Sequence, residues 1–100
     1  MARMKSEEAR KYLAHVPEEN SFYCTNGSYI TSIEELGTAM EKIDDQIYYY
    51  HAHDHGNDFS KWVGDVIGDQ KLSRDLDKAS SKTEASKRTQ ERITFLQSRL

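Results

Sequence analysis

The sequence predicts a mainly α protein, a compact bundle of four to six short helices with a small N-terminal β-hairpin. Three observations carry that prediction. Apolar residues recur at Phe59, Trp62, Val63, Val66 and Ile67, the i, i+3, i+4, i+7, i+8 spacing of one helix face. Serine and aspartate stand at cap positions ahead of several other apolar stripes. Asn26-Gly27 lies between short aromatic and β-branched runs, the strongest short hairpin signal.

Taken in order, residues 6–14 read as a helix. Ser6 is its candidate cap, Glu7 and Glu8 suit its first turn, and Ala9, Tyr12, Leu13 and Val16 form its stripe. Pro17 holds Val16 extended and ends it. Residues 22–31 read as the hairpin. A type I′ turn there needs positive φ at Asn26 and Gly27, and one face must pack on helices. Ser32 and Glu35 have capping-box spacing and open a helix carrying Ile33, Leu36, Met40 and Ile43. Asp44-Asp45 allows a break or a continuing turn; a break is the reading favoured, with a further helix over Asp45–His53. On it Ile47, Tyr50, His51 and Asp54 share a face. Tyr48, Tyr49 and Tyr50 splay about 100° apart, so one or two must be partly exposed. Gly56-Asn57 is the turn into the central helix, which Asn57 or Asp58 caps and Gly68 stops. Asp69 caps a helix over residues 69–79. Ser81 and Glu84 repeat the capping-box spacing before a last helix of about 82–100, which buries Ala85, Thr89, Ile93, Leu96 and Leu100. The expected core is Phe22, Ile33, Leu36, Met40, Ile43, Ile47, Phe59, Trp62, Val63, Val66, Leu72 and Leu76. Residues 1–16 are read as an N-terminal helix or extension, and residues 17–100 as a single helical domain.

Composition narrows the function classes. The chain has 100 residues, a net charge of −3 and one cysteine. That cysteine, Cys24, excludes an internal disulfide and suits a reducing compartment, so a cytoplasmic location is expected. No apolar run approaches the ~20 residues of a membrane span, and the N-terminal bases precede no apolar signal core. Residues 12–81 hold thirteen acids and five bases, while residues 1–11 and 82–100 are net basic. An acidic middle repels phosphates and the basic ends are sparse, so no nucleic-acid partner is expected.

Candidate chemistry gathers in residues 51–69. His51 and His55 stand at i, i+4, and Asp54 and Asp58 add carboxylates, so His51, Asp54 and His55 are the candidate metal ligands, a set that can hold zinc or iron. No paired-cysteine or His-Glu-x-x-His pattern accompanies them, and Gly56 would end the helix and leave an exposed polar turn. His51 alone has two readings. It is a buried histidine tied to Asp58 or Asp65, or an imidazole oriented by an aspartate for ligand contact or acid–base work. Cys24 and Ser60 are the candidate nucleophiles, and nothing in the sequence places either beside it; Cys24 reads as a small core residue. Trp62 needs an indole partner when buried, and Asp65, three residues on, is one candidate. The aromatic set Phe22, Tyr23, Tyr29, Tyr48, Tyr49 and Tyr50 suits a protein interface or a core with its rim.

Residues Pro17, Glu18, Phe22, Gly27, Ser32, Glu35, Leu36, Tyr50, His51, then Asn57-Asp58-Phe59, Trp62-Val63, Asp65-Val66-Ile67-Gly68-Asp69 and Leu72 resemble the pattern of a family of small archaeal and bacterial domains of unknown function. The resemblance spans about residues 17–96. It implies a domain found alone or within longer chains and brings no reaction with it. His53 and His55 depart from the pattern. The expected function is a non-enzymatic protein-interaction or regulatory module with a protein partner or self-association. The alternative is a metal- or small-ligand-binding domain centred on residues 51–58. An enzyme using His51 and an aspartate comes third.

Overall fold

The computed structural model describes residues 4–53 and 56–100. Among them run α1 (Ser6–Leu13), β1 (Phe22–Tyr23), β2 (Tyr29–Ile30), α2 (Ile33–Lys42), α3 (Asp45–His51), β3 (Ala52–His53), β4 (Gly56–Asn57), α4 (Asp58–Trp62), α5 (Gln70–Lys78) and α6 (Lys82–Gln97). The mainly α fold with its N-terminal hairpin is as expected. α6 is the longest helix and the spine: α2 and α5 pack along it, and α1 and α3 touch it.

Local chemistry explains most boundaries. Ser32, Asp44, Asn57, Asp69 and Ser81 each accept a bond from a first-turn N–H. The break at Asp44-Asp45 is therefore real, and Asp44 is the cap. Both capping boxes are shifted by one residue. Glu35 returns to the N–H and hydroxyl of Thr31, at 2.7 and 2.8 Å, and Glu84 binds the hydroxyl of Ser80 at 2.9 Å. The expected cap of α1 fails: Lys5 holds that position, and no side chain caps the helix.

The hairpin forms, but not with a type I′ turn. Gly27 has φ +93°, while no non-glycine residue among those described has positive φ. The N–H of Gly27 reaches the carbonyl of Cys24, and the N–H of Cys24 reaches that of Ser28, both at 2.9 Å. Thr25–Gly27 is thus a three-residue loop in which only the glycine is left-handed, which spares Asn26 the strained conformation.

Aromatic packing holds the hairpin down. Phe22 stacks on Phe59 at 5.1 Å, Phe59 stacks on Tyr48 at 5.7 Å, and Trp62 meets Phe22 edge-on at 6.1 Å. Burying Phe59 and Trp62 stabilises the fold by roughly 2–3 kcal/mol each. Cys24, Ile30, Tyr48, Ala52 and Ala9 join the expected core, while Ile47 and Val66 sit at its margin. Leu100 is exposed, a correction to the expected α6 stripe, because the helix ends at Gln97.

The central helix also departs from expectation. After Trp62 the backbone widens to a π-helical turn over Val63–Ile67, closed by Gly68 at φ +91°. The turn packs closely on α5. A Cβ at Gly64 would lie 2.8 Å from the Ser73 hydroxyl, and Ser60 and Ser73 exchange bonds across the same seam. Gln70 then donates to the Gly64 carbonyl at 3.0 Å, satisfying a group that a widened turn frees.

Candidate functional site

α3 ends at His51, so His53 lies on β3 and not on the helix. β3 pairs antiparallel with β4, matching Ala52 with Asn57 and His53 with Gly56. The expected helix over Asp45–His53 is corrected by this second strand pair. Its shared face is corrected too: His51 is buried beside Tyr48, whereas Tyr50 is 66% exposed.

His51 is held at both ring nitrogens. Its Nε2 accepts the backbone N–H of Thr25 at 3.2 Å, and its Nδ1 lies 3.1 Å from Asp58 Oδ2. A backbone N–H can only donate, so Nε2 carries no proton, and Nδ1 donates to the carboxylate. Phe22 and Phe59 meet the imidazole edge-on, with ring centres 5.2 and 5.4 Å away. The histidine thus ties three elements together: the hairpin loop, the end of α3 and the start of α4. Of the two aspartates, Asp58 takes the bond, and Asp65 is exposed on the π-helical turn. A metal at Nε2 would have to displace the Thr25 N–H.

The other candidate ligands, Asp54 and His55, lie outside the described residues. Among the described residues, no three histidine, cysteine, aspartate or glutamate side chains gather as a metal-holding group. No nucleophile joins His51 there either. Ser60 gives its hydroxyl to the Ser73 carbonyl at 2.6 Å, and Cys24 is fully buried.

Trp62 finds a different partner from Asp65. Its indole N–H donates to the Asn20 carbonyl at 2.9 Å, pinning the short 3-10 turn Glu18–Asn20 under the hairpin. Tyr48 is buried, and that burial pushes its phenol up, with Tyr49 and Glu84 adding to the effect. Tyr49 is 47% exposed. A cavity of about 510 Å³ opens beside these two tyrosines, walled also by His53, Asn57, Asp77 and Ser80. On the hairpin, Tyr23 and Tyr29 are 56% and 66% exposed.

One polar pair escaped sequence reasoning. Asp69, besides capping α5, takes a two-pronged bond from Arg92, at 2.7 and 2.9 Å, and both are buried. The signal was present: Thr89, Arg92, Ile93 and Leu96 share one stripe of α6, and an arginine there demands a carboxylate.

Comparison with protein-family models, curated proteins and solved structures gives no match. The functional reading rests on the geometry of the chain itself.

Proposed function

We propose that this protein is a small non-enzymatic interaction module that meets a protein partner, or a second copy, through its exposed tyrosines. One observation carries the reading: Tyr23, Tyr29, Tyr49 and Tyr50 stand in solvent while the residues that resemble catalytic groups are engaged by the fold. Tyrosine suits such a role, since it buries a large rigid surface at small entropic cost. In this reading His51, Asp58 and Trp62 hold the platform and Asp65 lies at its margin. The lone buried cysteine fits a cytoplasmic setting, and the acidic middle of the chain disfavours nucleic acid. Membership of residues 17–96 in the prokaryotic domain family of unknown function belongs to the same proposal, and it carries no reaction. The test is photo-crosslinking from positions 23, 29, 49 and 50 in the native cell, with sedimentation of the purified protein. Specific adducts or a concentration-dependent dimer are expected. A monomer that crosslinks to nothing at all four positions sinks the reading.

The cavity walled by His53, Asn57 and Asp77 favours a second reading, a metal or small ligand held near residues 51–58. Melting with chelator and with one equivalent of zinc decides it. A stoichiometric rise in the midpoint supports a site, and an unchanged midpoint removes the metal form.

A further inference from the structure

The β1–β2 hairpin is a sheet with two unlike faces. Phe22 pairs with Ile30 and Tyr23 with Tyr29. Side chains alternate along a strand, so the first pair faces the core and the second faces away. The two outward rings are 5.1 Å apart and tilted by 59°. Beside Tyr29 a groove of about 360 Å³ follows α2, walled by Ser28, Glu34, Thr38, Ala39 and Lys42.

The groove beside Tyr29 is net acidic, with Glu34 and Glu35 against Lys42. Between Lys11 and Lys42 the sequence has no lysine or arginine and five glutamates, Glu18, Glu19, Glu34, Glu35 and Glu41. Among the described residues none of the five meets a cation in an ion pair. Glu34 and Glu41 take only long bonds from neutral amides, Gln97 at 3.3 Å and Gln90 at 3.4 Å. Glu35 is held ionised by the backbone and hydroxyl of Thr31, which lower its carboxyl below the usual range. The open Tyr23–Tyr29 pair therefore borders a groove in which two carboxylates, Glu34 and Glu35, outnumber one cation, Lys42.

We propose that this face binds an extended, arginine-containing segment of a partner protein. The proposal rests on the interaction-module reading and names the chemistry of the partner. A guanidinium stacks on the Tyr23–Tyr29 pair, and the next basic side chain reaches Glu34 in the groove. Arginine is favoured over lysine because its planar fork both stacks on an aromatic face and pairs with a carboxylate. Charge complementarity supplies the orientation and the encounter rate.

The test uses the full chain, labelled with nitrogen-15 and titrated with short peptides of alternating arginine–glycine, lysine–glycine or glutamate–glycine. The arginine peptide is expected to give saturable shifts centred on Tyr23, Tyr29, Glu34 and Thr38. The lysine peptide is expected to bind about fivefold more weakly, and the glutamate peptide not at all. Tyr29→Ser should weaken arginine-peptide binding about tenfold, and Glu34→Gln should weaken it by a smaller factor, both with parent-like spectra. Equal binding of the arginine and lysine peptides overturns the proposal. So do shifts spread over Asp44, Asp45 and Asp77, or binding that Tyr29→Ser leaves unchanged. A photo-reactive group at position 29 separates this failure from that of the broader reading. A specific adduct on an arginine-poor segment overturns the arginine chemistry and leaves an interaction module.

Discussion

At the residue scale, the polar groups that the core swallows decide the most. Arg92 and Asp69 form a buried pair, so removing one partner strands a charge. Arg92→Leu is expected to cost roughly 3–5 kcal/mol in urea unfolding. That is a large share of the ~5–15 kcal/mol of a whole domain. Asp69→Ser in the same chain keeps a cap for α5 and should recover much of the loss. A single Arg92→Leu cost below about 1 kcal/mol would mean that water already compensates Asp69. His51 makes a second prediction. Long-range proton–nitrogen spectra should find the proton on Nδ1 and a bare Nε2, since Thr25 donates to the latter. Zinc at one equivalent should leave both signals in place. A joint shift of His51 and another histidine would replace the tie with a metal ligand. Glu35 gives the pH dependence. Its folded pKa is lowered, first by the Thr31 backbone bond and then by the Thr31 hydroxyl. Its stabilisation is therefore complete above the unfolded carboxyl value and is lost as pH falls through the folded one. Unfolding free energies measured down that acid limb should fall less steeply in Glu35→Gln; identical slopes would show that Glu35 is not responsible.

At the element scale, two glycines are each required for a different reason. A Cβ at Gly37 would lie 2.8 Å from Gln90 Nε2 and 3.0 Å from Ile93 Cδ1, on the α2–α6 seam. Gln90 is a flexible end that can swing away, but Ile93 is buried. Gly37→Ala should therefore cost about 1–3 kcal/mol in the folded state, as overpacking does. Calorimetry checks this, and a rise in midpoint would mean that helix propensity outweighs the crowding. Gly68 carries φ +91° at the end of the π-helical turn, so Gly68→Ala should cost about 1–2 kcal/mol for a different reason, the left-handed backbone. The caps and stripes of α2, α5 and α6 were legible in the sequence because they are local, a side-chain oxygen three residues before an N–H. The end of α3 was not. Periodicity extended it to His53, but β4 offers Ala52 and His53 strand partners, and no pattern within α3 records that competitor. The hairpin turn departs from type I′ for a similar reason. Asn-Gly permits it, yet a three-residue loop leaves only Gly27 at positive φ.

At the scale of the whole molecule, α1 packs on α6, with Ala9 fully buried and Tyr12 near the Arg92 guanidinium at 6.0 Å. Deleting residues 1–14 should destabilise the rest by on the order of 2–4 kcal/mol, read as a lowered thermal midpoint. An unchanged midpoint would make α1 a detachable arm. The sequence by itself determined the helical class, most element boundaries and the need for exposed tyrosines, because those follow from spacings of one to four residues. The tertiary structure alone decided which polar groups meet. Thr25 to His51, Asp69 to Arg92 and Asn20 to Trp62 join residues 26, 23 and 42 positions apart. Each forms because burial leaves a donor or charge that must be satisfied by whatever the packing brings near, and the packing is a property of all the elements at once. The open tyrosine pair beside a net acidic groove belongs to both levels. Its charge is written in the composition of residues 12–41, and its aromatic pair exists only once the hairpin register sets Tyr23 opposite Tyr29.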